Sequence, residues 1–104
     1  MADAVEVRHW GGAMARTGGG PVGHRHVPWS ATIDGPDAAA GRLRPHATGG
    51  TFLNFLADPG RTESAYTAEN LHRLRAVKAA YDPDNLFRVG HTIRPAQRSL
   101  AAAR

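Results

Sequence analysis

Residues 67–95, TAENLHRLRAVKAAYDPDNLFRVGHTIRP, carry the strongest local signal in the chain. Thr67 offers a side-chain oxygen to the free N–H groups of a first helical turn, and Glu69 sits where the helix dipole favours negative charge. Leu71, Leu74, Val77 and Tyr81 recur at helical spacing as one apolar stripe, with Arg73, Arg75 and Lys78 on other faces or in later turns. Pro83 biases Asp82 away from the helical region of backbone space, so the helix is predicted from Thr67 to about Tyr81. Asp82-Pro83-Asp84-Asn85 then reads as a tight turn, and Leu86, Phe87, Val89 and Ile93 as apolar anchors after it.

Upstream of the helix the signals turn to strand and loop. Residues 51–56, TFLNFL, form a compact apolar run of β-favouring types with one amide, Asn54, and Asp58-Pro59-Gly60 ends it. Residues 4–10, AVEVRHW, alternate apolar and polar as a half-buried strand does, until Gly11 and Gly12 break the pattern. Gly18-Gly19-Gly20-Pro21 is a turn. Residues 22–33, VGHRHVPWSATI, again alternate, through Val27, Trp29, Ala31 and Ile33, and Pro28 confines that strand to an edge or puts a bulge in it. Between Asp34 and Gly50 the breakers Gly35-Pro36, Pro45 and Gly49-Gly50 leave room for no more than a helical turn or two at Ala38–Leu43. The expected fold class is α+β: a small antiparallel sheet from residues 4–10, 22–33 and 51–56, the 67–81 helix packed on it, and an extended stretch at 86–95. The whole of 1–104 is expected to be a single partial domain, divided into 5–48, 49–95 and a tail at 96–104.

Composition narrows the function classes. Leu, Ile, Val and Phe together number 18 of 104 residues, below the level of about 20% at which a chain struggles to build a core. Nineteen Ala, 12 Gly and seven Pro make up much of the rest. A chain that packs against something larger fits this better than one that folds well alone. The absence of Cys excludes disulfides, a thiolate nucleophile, Cys-based zinc sites and any cofactor attached through Cys on this chain. The 12 Arg and one Lys are scattered, net charge is +4, and neither a basic cluster nor a nucleic-acid reader motif is present, so nucleic acid is not an expected partner. No apolar run approaches the roughly 20 residues of a membrane span, and MADAVEVRHW has no apolar signal-peptide centre, so a cytoplasmic location and no membrane partner are expected.

With the residues laid out, a family resemblance emerges. Residues 70–95 resemble the berberine-bridge segment of FAD-linked oxidases in the vanillyl-alcohol-oxidase superfamily, where a helix with an RL-x-x-x-K pattern runs into YDP-x-N-x-F and ends on I-x-P. The matching pieces are Arg73-Leu74, Lys78, Tyr81-Asp82-Pro83, Asn85, Phe87, Ile93 and Pro95. GGTFLNFLAD at 49–58 is similar to the family's GG-x-Y-x-N strand; VRHWGGAMAR at 7–16 and His24-Arg25-His26 resemble an earlier strand pair of its substrate domain. The resemblance implies a partial copy of that substrate-binding domain. Three departures stand out. Phe52 replaces the family's Tyr, Gly90-His91-Thr92 replaces an Asn-rich step, and the segment from Ile33 to Gly49 is short. A shortened excursion there implies an exposed sheet face. The family's FAD-binding domain has no counterpart in these residues, and Gly18-Gly19-Gly20-Pro21 lacks the strand–turn–helix setting of a phosphate-cradling loop.

What the resemblance implies about the site is specific. Asn54 matches a family Asn close to the flavin ring, and Phe52 becomes a wall beside it; these are the expected cofactor-binding residues. Tyr81, Asp82, Pro83, Asn85 and Phe87 read as structural. His24 and His26, two apart, would share one face of a strand, with a substrate-side role open to them and to His91; two histidines are too few for a closed metal site. No metal site and no catalytic constellation is expected on this chain. The implied function is the C-terminal part of an FAD-dependent oxidase of a small organic substrate, inactive alone, its FAD held only in a complete enzyme or with a partner chain that carries the FAD domain. The alternative is a non-catalytic remnant or a stand-alone interaction module.

Overall fold

A computed structural model describes residues 4–16, 18 and 20–97 of the chain. Gly19 of the expected Gly-rich turn and residues 98–104 of the expected tail lie outside them. Strand β1 (Ala4–His9) pairs antiparallel with β2 (Trp29–Asp34), in a register that sets Ala4 opposite Asp34 and His9 opposite Trp29. A short helix α1 (Asp37–Gly41) and 3-10 turns at Arg44–His46, Leu53–Phe55 and Pro59–Ala65 follow, and the long helix α2 (Ala68–Tyr81) comes last. The α+β class holds, but the long helix does not pack directly on the sheet as expected, because coil and turn segments lie between them.

The two faces of the sheet differ in chemistry. Side chains alternate across a strand, so Val5, Val7, His9, Trp29, Ala31 and Ile33 share one face, and Glu6, Arg8, Ser30 and Thr32 the other. The polar face turns toward the rest of the chain. The Arg8 guanidinium lies 4.4 Å from the centre of the Phe55 ring. Trp10, in the same row, donates from its indole nitrogen to Ser30 Oγ at 2.7 Å and places its ring 5.0 Å from that of Phe52. On the apolar face Val5, Val7 and Trp29 stand 56, 60 and 59% exposed. The face that the shortened excursion was expected to leave open is open.

Two expected strands change form. The stretch 22–33 becomes a strand only from Trp29 onward. His24 is left-handed, with φ of 61°, and Pro28 has no N–H to give to a ladder, so residues 22–28 cannot extend it. Residues 51–56 are not a strand: the amides of Phe55 and Leu56 bond back to the carbonyls of Phe52 and Leu53, at 3.0 and 3.2 Å. β-favouring composition needs a neighbouring strand, and among the described residues none lies beside this segment. Its backbone groups are satisfied locally instead.

Coil and the Pro59–Ala65 turn form a layer between sheet and long helix. Gly23 donates to the Ala65 carbonyl at 3.3 Å and Thr51 to the Ser64 carbonyl at 3.1 Å. Thr67 caps α2 by accepting from the Asn70 amide at 3.1 Å, as its position foretold. Asn70 Nδ2 reaches back to the Pro21 carbonyl at 3.1 Å, and Arg75 pairs with Glu63. The expected stripe of α2 is only partly covered. Leu71, Leu74, Arg75 and Lys78 are half-buried, while Val77 and Tyr81 are exposed. The charged members of the inward face bind loops; they do not enter an apolar core.

That core is thin. Among the described residues Ala65 is the one buried apolar side chain, beside Thr62 and Asp82. The radius of gyration is 16.7 Å, against about 13 Å for a compact chain of this length. The surface is 8246 Å², where a compact monomer of 11.1 kDa exposes about 5,700 Å².

Candidate functional site

A half-open cavity of about 600 Å³ lies beside β2, bordered by the 40–48 excursion and the 50–56 segment. Its aromatic lining comes from Trp29, Phe52 and Phe55, its basic groups from His24, Arg44, His46 and Arg61. No aspartate or glutamate lines it. These residues come from five stretches of chain, brought together by turns and not by one long element.

One wall is fixed tightly. His24 Nε2 donates to the Ser64 carbonyl at 2.8 Å, the same oxygen that receives the Thr51 amide. Thr51 and Ser64 are joined again through their hydroxyls at 2.7 Å. The imidazole lies so close over Gly50 that a β-carbon there would fall inside the ring's van der Waals envelope. His24 also meets Phe52 edge-on, at 6.5 Å between centroids. The left-handed His24 is a strained backbone position, held by these contacts. His26 is exposed in the adjoining turn, so the two histidines do not share a strand face.

The expected flavin residues are neighbours with different surroundings. Phe52 is half-buried between Trp10 and His24. Asn54 is exposed on the Leu53–Phe55 turn, and among the described residues its amide makes no hydrogen bond within the chain.

The YDP-x-N-x-F segment is built around Asp82. Its carboxylate pairs with Lys78 and accepts the Leu86 and Phe87 amides at 2.8 and 3.1 Å. The Lys78 hydrogen bond, then the Leu86 amide, hold its pKa below the ordinary carboxylate value, against the opposing effect of partial burial. Lys78 also donates to the Phe87 carbonyl at 2.9 Å. Asn85 is left-handed, φ 53°, with Oδ1 buried and unpartnered. His91 ties the following stretch to the middle layer, donating from Nε2 to the Leu56 carbonyl at 2.6 Å and bonding Thr62 Oγ1 through Nδ1 at 2.7 Å. Asp82 and Asn85 build the turn their chemistry suggested, but the expected apolar anchors Leu86, Phe87 and Val89 stand 70, 82 and 96% exposed, with no core behind the turn to receive them.

Sequence reasoning did not single out Arg44, Arg61 or Trp29 as cavity residues. Nothing in their spacing links them; coil geometry alone brings them together. Gly50 did carry a signal, as one of a Gly pair, but its reason, the His24 ring, lies 26 positions away. Among the described residues no group of three or more His, Cys, Asp or Glu side chains could hold a metal ion. None of the described helices is long and apolar enough to cross a membrane.

Comparison with known proteins agrees with the motif reading. Residues 48–94 match the family described as "Berberine and berberine like". An uncharacterized FAD-linked oxidoreductase, YgaK of Bacillus subtilis (strain 168), is 54% identical over 35 residues, a stretch covering 34% of this chain and 8% of that protein. No solved structure matches the chain.

Proposed function

Because residues 48–94 are a berberine-bridge-like segment of the FAD-linked oxidases, we propose that this chain is the substrate-side, C-terminal part of an FAD-dependent oxidase of a small organic substrate, inactive alone. FAD, when bound, accepts a hydride from the substrate and passes the electrons on to oxygen. This chain's own contribution is to position and cover. The exposed amide of Asn54, without a hydrogen bond among the described residues, can pair with heteroatoms at the edge of a flavin ring, and Phe52 and Phe55 stand on either side of it along the turn. Among the described residues no phosphate-cradling loop stands ahead of a helix, and in this proposal that half of the cofactor falls to a complete enzyme or to a partner chain with an FAD domain.

The outward apolar face of the sheet carries this reading. Val5, Val7 and Trp29 are more than half exposed, and the chain presents about 2,500 Å² beyond a compact monomer's surface. A chain of this kind is built to be covered. Cytoplasmic location and the absence of nucleic-acid and membrane partners belong to the same proposal.

The test is co-expression with an FAD-domain polypeptide encoded beside this chain. Co-purification with bound flavin, and a change in the flavin absorption band on Asn54→Ala, supports the proposal. No such polypeptide, together with no flavin retained, overturns it. Phe52 in place of a phenol favours a second reading, a non-catalytic interaction module. Cooperative thermal unfolding of the isolated chain would select that reading.

A further inference from the structure

We propose that the cavity beside β2 binds a small anion carrying an aromatic ring. Sign of charge is the first reason. Arg44 and Arg61 line the cavity, and no carboxylate does. Arg61 makes no ion pair among the described residues, and Arg44 reaches Asp37 only at 4.0 Å, with both side chains mostly in water. Both arginines that line the cavity are thus without a close carboxylate partner among the described residues. Clefts lined by one sign of charge and walled by apolar groups focus their field and concentrate the opposite charge. Arginine adds geometry, since its planar fork matches carboxylate and phosphate oxygens.

Wall chemistry is the second reason. Phe52 and Phe55 line the cavity with Leu43 and Leu56, and Trp29 borders it at the β2 edge. Phe55 already carries one cation, the Arg8 guanidinium, on its ring. A volume of about 600 Å³ lies within the roughly 300–1,000 Å³ of small-molecule sites. It is far larger than an inorganic anion needs and suits one or two fused rings. The wall bearing His24 is also held fixed by the Ser64 carbonyl and by Gly50, so part of the cavity exists before any ligand arrives.

Read as the oxidase's substrate class, the proposal rests on the flavin reading; as a binding site it does not, and the test uses the 104-residue chain without flavin. The probe is 2-naphthoate, followed by calorimetry and by amide shifts in NMR spectra. Binding should shift Thr51, Phe52 and Phe55, and Arg44→Gln or Arg61→Gln should weaken it about tenfold each, the scale of one hydrogen bond to a charged group. Both arginines are exposed, so circular dichroism of the variants should match the parent chain. The neutral 2-naphthylmethanol and the ring-saturated cyclohexanecarboxylate should each bind at least tenfold more weakly. Naphthyl phosphate binding more tightly than naphthoate would identify the anion as a phosphate and support the same site. The proposal is overturned if the neutral alcohol binds as tightly as naphthoate, if the double arginine variant binds unchanged, if the shifts fall outside the cavity, or if no binding appears at millimolar probe.

Discussion

Replacing Gly50 with Ala isolates the contact that holds the cavity wall. The substituted β-carbon would overlap the His24 imidazole, and the backbone at Gly50 is not left-handed, so no conformational penalty of its own accompanies the change. The ring must therefore swing away. It then loses its bond to the Ser64 carbonyl at 2.8 Å, worth about 1 kcal/mol, and its edge-on contact with Phe52 at 6.5 Å, worth about 0.5–1 kcal/mol. The sum, about 1.5–2 kcal/mol, should appear as local opening, with hydrogen exchange at the Thr51 and Gly23 amides faster by about 10- to 30-fold. Both amides bond into the same 64–65 stretch. His24→Ala removes the obstacle, so Gly50→Ala in that background should change exchange by less than about threefold, a non-additivity expected of groups in contact. Equal acceleration by Gly50→Ala with and without His24, or none in either, would refute the reasoning.

Thr67→Ala should remove the cap of α2 and cost about 1 kcal/mol of helix stability, read as faster exchange at the Asn70 amide and weaker helical circular dichroism. Asp82 has a folded-state pKa below its ordinary value of about 3.9. Its contribution is therefore complete above that ordinary value and is lost as pH falls through the lowered one. Leu86 and Phe87 amides should lose protection over that acid range, and Asp82→Asn should abolish both the Lys78 pairing and the pH dependence. Gly23→Ala should separate residues 21–24 from the 65–67 backbone, because its β-carbon would lie 2.9 Å from the Ala65 carbonyl oxygen; accelerated exchange at the residue 23 amide checks this.

The helix and its stop were legible in the sequence because their causes are local: a capping Thr67, a Pro83 that ends the turn of helix, and an Asp82 that collects nearby amides. Strand β1 was legible from alternation, but alternation does not say which face meets the chain. Val5 and Val7 face outward, and Arg8 faces in over Phe55. Residues 51–56 have strand composition and no strand neighbour, so their turn depends on what lies beside them. The cavity was not legible. Trp29, Arg44 and Arg61 meet through coil and 3-10 turns whose path no periodicity records. Asn54 and Phe52 were singled out by motif alone: Phe52 lines the cavity, whereas Asn54 is exposed on the Leu53–Phe55 turn and is not part of the lining.

The most direct measurement is of flavin retention and surface protection together. The chain is purified alone and with an FAD-domain polypeptide encoded beside it, and each sample is read for bound FAD by visible absorption and for exchange at the Val5, Val7 and Trp29 amides. The expected result is no flavin on the isolated chain, and a flavin-bearing complex in which the apolar sheet face is protected. Tight FAD binding by the isolated chain, or a flavin-bearing complex that leaves that face as open as before, would contradict it.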